Sequence, residues 1–326
     1  MTKEELRIVF FGTPDFAVES LKRLVDGGYN VVAVVTMPDK PAGRGRQLQQ
    51  SDVKRFAVEH GLPVLQPVSL KDEAFLAELK ALEAQLFIVI AFRMLPEAVW
   101  QMPPLGTFNL HASLLPRYRG AAPINWAVMN GDTETGVTTF FLKHEIDTGD
   151  VIQQRSCPID RHDDVEIVHD RLMTMGADMV VETVDAIIAG TVSPIPQDQM
   201  HTAGQQPTPA PKIFKETCHI DWARPAEALY NHIRGLSPYP AAWTVLIDEN
   251  GNELTTLKIF STGEPEAFTG AANPAPGTIL ADRKTLRIAA IDGWLEVLSL
   301  QQSGKKRMDT DAFLRGFTIA PGNRCQ

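Results

Sequence analysis

The apolar residues of the first hundred positions fall into a pattern that predicts strands alternating with helices. Continuous apolar runs at residues 6–11, 30–36 and 86–91 have the length and the branched or aromatic composition of strands covered on both faces. Between the first two runs, residues 16–25 carry apolar side chains at helical spacing, and a pair of glycines follows. This alternation predicts a doubly wound, Rossmann-like α/β sheet.

The pattern changes in the second half of the chain. Helical spacing over residues 164–189 predicts a long helix that ends at Gly190. The stretch that follows is rich in proline, glutamine and threonine and has no periodicity, which is typical of a linker. We therefore predict an α/β catalytic domain at residues 1–190, a linker at 191–208 and a second domain at 209–326.

Short runs of alternating apolar and polar residues fill this second domain, and polar turns separate them. One helical stretch, at residues 225–234, precedes the runs. The runs are residues 243–247, 257–260, 277–280, 286–289 and 294–298. Short strands joined by tight turns predict a small antiparallel β-barrel, similar to the OB folds that bind nucleic acids.

Composition limits the classes of function. The formal net charge of −9 over 326 residues argues against wholesale nonspecific binding of polyanions. Residues 209–326 hold thirteen basic and thirteen acidic side chains, so the second domain is neutral and can still carry a basic patch on one face. No apolar stretch reaches the roughly 20 residues of a membrane span, and residues 1–10 lack the pattern of a signal peptide. We expect a cytoplasmic monomer.

Neither a metal site nor a disulfide is predicted. Cys157, Cys218 and Cys325 are isolated and lack the C-x-x-C spacing of zinc sites. His162 and His169 are placed on one face of the long predicted helix, together with Glu166, but spacing alone without further ligands favours a solvated face over a metal site.

The candidate chemistry lies near the middle of the chain. Asn109 and His111 are two positions apart, which on a strand places an amide and an imidazole side by side on one face. Such a pair suits a site where negative charge develops on an oxygen while a proton moves. Residues 137–142 form another strand-like run, and Asp147 follows them in a predicted loop from which it can reach His111. Strand ends are where open α/β sheets bind their ligands.

A basic loop is predicted between the second strand and the next helix. Residues 37–48 are too rich in proline and glycine for regular structure, and they include Lys40, Arg44 and Arg46. Spaced guanidinium groups can bind phosphates, but a solvated loop explains the same composition. Because neither G-x-G-x-x-G after the first strand nor a P-loop motif is present, nicotinamide and P-loop nucleotide chemistry are disfavoured.

The central stretch resembles a known signature. Asn109-x-His111-x-Ser113-Leu114-Leu115-Pro116-x-x-x-Gly120, followed by Asp147-Thr148-Gly149, is similar to the motif of enzymes that transfer a formyl group from 10-formyltetrahydrofolate. Further matches extend the likeness over the chain, among them residues 12–17, 119–124 and 276–279. Within that superfamily, the whole chain resembles the methionyl-tRNA formyltransferase family.

The resemblance implies roles for the central residues. Asn109 and His111 would stabilise the oxyanion that forms at the formyl carbon. Asp147 would orient and charge His111 and would help to remove the proton of the attacking amine, directly or through water. Ser113, Leu114, Leu115 and Pro116 would form the loop that binds the folate donor, and methionyl initiator tRNA would be the partner.

The resemblance also assigns the basic residues. Arg44 would contact the acceptor stem of the tRNA, with Lys40 and Arg46 beside it. Lys305 and Lys306, with Arg307 next to them, are the candidate phosphate contacts of the second domain. The chain departs from the family pattern at Arg93, which stands near the position of a usual glycine and would either meet the glutamate tail of folate or point to solvent. Arg117 and Arg119 receive no role.

Two other functions are consistent with parts of this pattern. A formyltransferase could act on a small amine or on water, but such an enzyme needs neither the basic loop nor the second domain. A nucleic-acid-binding protein with a degenerate catalytic domain would have no reason to keep Asn109, His111 and Asp147 together. Taken singly, His111 could be an ordinary core histidine and Asp147 a turn-capping carboxylate.

Overall fold

The structure, a computed structural model, describes residues 1–42, 47–200, 207–270 and 273–326. The chain forms two compact units. The first, called here the α/β unit, comprises Met1–Gly120, Thr135–Pro158 and His169–Ala210. The second, the antiparallel unit, comprises Ala121–Glu134, Ile159–Val168 and Pro211–Gln326. The domain limits proposed from the sequence stay a prediction.

The elements follow one another in two series. Up to residue 120 the chain forms β1 (Ile8–Gly12), α1 (Asp15–Asp26), β2 (Val31–Val35), β3 (Lys40–Ala42), β4 (Gln47–Gln49), α2 (Asp52–Glu59), β5 (Val64–Leu65), α3 (Glu73–Ala81), β6 (Leu86–Ile90), α4 (Glu97–Trp100), β7 (Thr107–His111) and β8 (Arg119–Gly120). Then come α5 (Pro123–Met129), β9 (Glu134–Phe141), β10 (Val151–Pro158), α6 (Val165–Ala189) and β11 (Pro209–Ala210). The C-terminal series is α7 (Ala226–Arg234), β12 (Ala242–Ile247), β13 (Glu253–Thr262), β14 (Glu266–Ala267), β15 (Ile279–Ala281), β16 (Leu286–Ala289), β17 (Gly293–Gln302), β18 (Met308–Asp309), α8 (Thr310–Gly316) and β19 (Arg324–Cys325).

The α/β unit is built on a seven-stranded sheet in the order β10-β9-β7-β6-β1-β2-β5. Strands β5, β2, β1, β6 and β7 pair in parallel, and β9 runs antiparallel to β7. Every residue of β1 and β6 is buried, as their continuous apolar composition predicted. The chain moves outward from β1 to β5 and then returns to β6, which places a switch point of the sheet beside β1. The predicted doubly wound sheet is confirmed.

The ends of α6 show how local sequence sets the helix limits. The carboxylate of Asp164 accepts a hydrogen bond of 3.0 Å from the main-chain N–H of Ile167, which satisfies one of the free donors of the first turn. At the other end, Gly190 adopts a positive φ of 67°, a conformation that glycine takes at little cost. The predicted helix of residues 164–189 is therefore confirmed. His162 precedes it, so the predicted placement of this histidine on the helix face is wrong.

Residues 37–48 are not wholly irregular, and this part of the prediction is wrong. Strands β3 and β4 pair antiparallel, with Lys40 opposite Gln49 and Pro41 opposite Leu48. Pro41 is tolerated because β3 has only one neighbouring strand among the described residues, so its missing N–H breaks no second ladder. Arg44 and Arg46 lie outside the described residues.

The antiparallel unit contains an eight-stranded sheet. Its order is β15-β16-β17-β13-β12-β19, and β14 and β18 also pair with β17. A bridge between Thr278, just before β15, and Arg324 of β19 connects the two ends of this order, so that the strands close on themselves. Helix α7 buries Leu229 and Ile233 in the same core as Trp222. The small antiparallel barrel predicted from the sequence is confirmed. Among the described residues, no helix is long and apolar enough to span a membrane.

Candidate active site

Asn109 and His111 occupy alternate positions of β7, so they share one face of the strand. Asn109 is half-buried and lies opposite Val89 of β6 and Phe140 of β9. His111, the last residue of the strand, is only 6% exposed. An amide and an imidazole are thus held at the carboxyl end of a strand near the sheet's centre, where α/β sheets place their ligands.

Two neighbours on opposite sides hold the His111 ring. Its Nε2 lies 2.8 Å from the main-chain oxygen of Tyr118, and its Nδ1 lies 3.9 Å from Oδ2 of Asp147. Because a carbonyl oxygen can only accept, Nε2 carries a hydrogen. Nδ1 is therefore the ring nitrogen that faces Asp147. The structure brings together the two residues that the sequence pattern paired.

Asp147 occupies a tight turn after β9. Its φ of 56° is unusual for a residue with a side chain, and its Oδ2 accepts a hydrogen bond of 2.9 Å from the N–H of Gly120. Two residues on, a Cβ at Gly149 would come within 1.6 Å of the main-chain oxygen of Phe141, so only glycine fits there. The turn therefore fixes the direction in which the Asp147 carboxylate points.

The Ser113–Pro116 loop is fixed by hydrogen bonds of its own. The Ser113 hydroxyl donates to the oxygen of Arg117 over 2.7 Å, and the Thr138 hydroxyl donates to the oxygen of Ser113 over 2.6 Å. Gln154 donates to the oxygen of Leu115 over 2.7 Å. Ser113, Leu115 and Pro116 are buried, whereas Leu114 is partly exposed. Of these four side chains, Leu114 is therefore the one that this structure presents to a ligand.

Arg93 does not simply point to solvent, so that alternative is wrong. Its Nη1 donates over 2.8 Å to the main-chain oxygen of Val68, and its Nη2 donates to the oxygen of Pro67. The side chain is half-buried, and burial lowers the pKa of its guanidinium. Arg93 thus ties the start of the segment after β6 to the segment after β5.

Gln197 is a residue that sequence reasoning missed. It lies in a 3₁₀ turn, Gln197–Gln199, within the predicted linker, yet it is 5% exposed. Its side chain bonds to the main chain of Asp147 and to the guanidinium of Arg119, which also gives Arg119 a structural role. A single glutamine in a segment without periodicity carries no sequence signal that separates it from a solvated residue.

The predicted basic residues differ in their surroundings. Lys40, on β3, is exposed, as are Lys305 and Lys306 in the turn after β17. Arg307 is engaged within the antiparallel unit: its guanidinium carbon lies 4.4 Å from the centre of the Phe260 ring, and its Nε donates to the Ser299 hydroxyl over 2.9 Å. The two lysines are therefore the freer charges for a phosphate.

Acidic and metal-ligating side chains do not gather elsewhere. Within the described ranges, no group of three or more His, Cys, Asp or Glu residues could hold a metal ion. His162 lies 3.1 Å from the hydroxyl of Tyr230, and His169 lies 3.0 Å from the carboxylate of Asp170. Each of these two histidines therefore has a partner other than a metal.

Comparison with known proteins identifies the family. Residues 6–184 match the formyl transferase family, and residues 212–318 match the C-terminal domain of formyl transferases. The chain is 63% identical to a methionyl-tRNA formyltransferase of Bacteroides fragilis, over 98% of this chain and 97% of that protein. This chain belongs to the methionyl-tRNA formyltransferase family. A Porphyromonas gingivalis methionyl-tRNA formyltransferase is 52% identical over 98% of each chain.

A solved structure extends the likeness to the fold of a more distant enzyme. The sugar 3N-formyl transferase WlaRD, whose crystal structure was obtained in the presence of dTDP and 5-N-formyl-THF, superimposes with a TM-score of 0.63 over 92% of this chain and 99% of that chain. Sequence identity is 19%, so this likeness concerns the fold. The methionyl-tRNA formyltransferase family thus shares its architecture with enzymes of other acceptors.

Proposed function

We propose that this protein transfers the formyl group of 10-formyltetrahydrofolate to the α-amino group of methionyl initiator tRNA. The observation that carries the proposal is the convergence of Asn109, His111 and Asp147 at one end of the sheet, in a chain that matches methionyl-tRNA formyltransferases over nearly its whole length. The expected function thus rests on a site and on a family together.

The reaction requires charge stabilisation and proton removal at one place. The amine nitrogen attacks the formyl carbon and forms a C–N bond, while the formyl oxygen gains negative charge. The amine then loses a proton, and the bond between the formyl carbon and N10 of the folate breaks, with N10 taking up a proton. No covalent bond to the protein is needed. An amide donor stabilises the developing oxyanion, and a carboxylate accepts the proton.

Asn109 is the amide donor in this proposal. Its side chain is half-buried on β7 and hydrogen-bonds to no residue in the described part of the chain. Its NH₂ group is therefore available to a substrate oxygen without breaking an existing bond. Because it stands on a strand in the sheet's interior, the donor is placed before the charge develops, which is the condition for effective oxyanion stabilisation.

The geometry restricts how His111 and Asp147 act. Since Nε2 of His111 is bound to the Tyr118 oxygen, only Nδ1 can serve the reaction. For Nδ1 to donate to the oxyanion, the ring must carry hydrogens on both nitrogens, and the carboxylate 3.9 Å away stabilises that cation. Asp147 also accepts the proton of the amine, directly or through a water molecule, as its exposed side toward the strand end allows.

The tRNA contacts are proposed to come from separate parts of the chain. Arg44, with Lys40 and Arg46, would bind the acceptor stem, and Lys305 and Lys306 would bind phosphates elsewhere on the tRNA. The exposure of Lys40, Lys305 and Lys306 supports this proposal. The net charge of −9 requires that such contacts be local and not spread over the whole surface.

Transfer of labelled formyl from 10-formyltetrahydrofolate tests the proposal directly. The acceptors to compare are methionyl initiator tRNA, free methionine and an amino sugar nucleotide. We expect label only on the methionyl-tRNA. Label on the amino sugar nucleotide, with none on the tRNA, would instead support a small-acceptor formyltransferase.

A further inference from the structure

Gln197 uses every hydrogen-bonding position of its side-chain amide. Its Nε2 lies 2.8 Å from the oxygen of Asp147 and 2.9 Å from the oxygen of Gly149. Its Oε1 lies 3.1 Å from Nε and 2.5 Å from Nη2 of Arg119. Two hydrogens and two lone pairs are therefore all engaged, in a side chain that is 5% exposed.

These partners require glutamine in one orientation. Carbonyl oxygens only accept hydrogen bonds and a guanidinium only donates them, so the amide nitrogen faces the Asp147 turn and the amide oxygen faces Arg119. A glutamate would present an oxygen to two carbonyl oxygens, and an aliphatic residue would leave both carbonyls and the guanidinium unpaired. Either replacement buries polar groups without partners, which is costly.

The contacts close into a ring around Asp147. Gln197 binds the main chain of Asp147 and accepts from Arg119, and Gly120, the next residue, donates its N–H to the Asp147 carboxylate over 2.9 Å. Main chain and side chain of Asp147 are therefore set by one connected group of residues. This support matters because Asp147 has a φ of 56°, a left-handed conformation that costs about 1 kcal/mol for a residue with a Cβ.

The segment that carries Gln197 is itself fixed to the α/β unit. Ile195 exchanges two main-chain hydrogen bonds with Val151, of 2.9 and 2.8 Å. Farther along, β11 pairs in parallel with β8, the strand that contains Arg119 and Gly120. A Cβ at Gly120 would come within 2.4 Å of the Ala210 oxygen, so the two strands approach as closely as glycine permits. Gln197 is therefore held from both sides.

We propose that Gln197, together with Arg119, is a positioning residue that directs the Asp147 carboxylate at the reacting amine. This inference rests on the proposed formyl transfer. Gln197 acts through Asp147, because its four polar contacts are all taken up by Asp147, Gly149 and Arg119. A displacement of a catalytic group by about 1 Å can cost on the order of 100-fold in rate.

Steady-state formyl transfer by the full chain tests this inference. Gln197→Met keeps the length of the side chain and removes its hydrogen bonds, whereas Gln197→Ala also removes volume. We expect kcat to fall by about 10- to 100-fold in both variants, with KM for each substrate within about threefold of wild type. Gln199→Ala is the matched control, since Gln199 is an exposed glutamine of the same 3₁₀ turn. It should keep wild-type kinetics.

A double-mutant cycle with Asp147→Asn separates positioning from general damage to the fold. If Gln197 acts through Asp147, then Gln197→Met lowers the single-turnover rate of the Asp147→Asn enzyme by less than about threefold. Losses that multiply in the double variant, or wild-type kcat in Gln197→Met, overturn the inference. A wild-type enzyme that transfers no formyl group overturns the proposed function itself, and this inference with it.

Discussion

Nδ1 of His111 lies 3.9 Å from Oδ2 of Asp147, while Nε2 of the same ring is bound at 2.8 Å to the main-chain oxygen of Tyr118. The imidazole is thus fixed by one nitrogen and presents the other to the carboxylate. The separation exceeds a hydrogen bond, so a small movement of either residue can form one when substrates bind.

Removal of the imidazole tests this arrangement. We expect His111→Ala to lower kcat by at least about 100-fold, the usual loss when a positioned proton donor is removed. Circular dichroism and thermal melting should show a folded protein, because the β7 main chain keeps its pairing with β6 and β9. Wild-type kcat in this variant would remove His111 from the mechanism.

The basic loop is tested by Arg44→Ala. We expect a higher KM for methionyl-tRNA with little change in kcat, and a salt dependence of tRNA affinity whose slope is smaller by about one unit. Lys22→Ala is the control, since it removes an exposed charge that pairs with Asp26 on α1. If both variants retain the wild-type KM and salt slope, Arg44 makes no phosphate contact.

Gly149 tests the tightness of the catalytic turn. In Gly149→Ala the new Cβ would collide with the Phe141 oxygen, so we expect a loss of at least about 3 kcal/mol of stability or a failure to fold. Gly316→Ala is the matched control, because nothing lies within 4 Å of a Cβ there. Urea unfolding of both variants measures the difference, and equal unfolding midpoints would show that the turn can relax.

His232 predicts a loss of stability in acid. Burial, with Arg224 as a second cause, lowers the pKa of this 4% exposed histidine from 6.5 to about 4. Its Nε2 has no partner within the described residues. The unfolded chain therefore binds the proton more readily, so the stabilising contribution is complete above pH 6.5 and is lost as the pH falls toward 4. Between pH 7.5 and pH 5 this amounts to about 2 kcal/mol.

The His232→Gln variant isolates this effect. Four of the five tryptophans lie in the antiparallel unit, so tryptophan fluorescence during urea unfolding reports on the unit that contains His232. Between pH 7.5 and pH 5, wild type should lose about 2 kcal/mol more than the variant. Parallel losses in the two proteins would show that other groups cause the acid sensitivity.

Sequence patterns predicted those elements whose formation depends on apolar burial or on helix ends. β1 and β6 were recognisable because strands covered on both faces are apolar throughout, and α6 because Asp164 and Gly190 mark its limits. The pairing of His111 with Asp147 followed from a strand position and a loop position. Each of these signals is local in the sequence.

Features that depend on contacts between distant segments were missed. The β3–β4 hairpin forms in a stretch whose prolines and glycines suggest irregular structure, since pairing supplies what propensity does not. Gln197 is distinguished only by the carbonyls of Asp147 and Gly149, about fifty residues earlier in the chain. Arg93 likewise differs from a solvated arginine only through the carbonyls of Pro67 and Val68.

Single-turnover transfer of labelled formyl from 10-formyltetrahydrofolate to methionyl initiator tRNA, with wild type and Asp147→Asn compared at saturating tRNA, tests the central claim most directly. The account predicts that wild type forms formylmethionyl-tRNA and that the variant does so at least about 100-fold more slowly with unchanged tRNA affinity. Equal rates in the two proteins, or no transfer to tRNA by wild type, would contradict it.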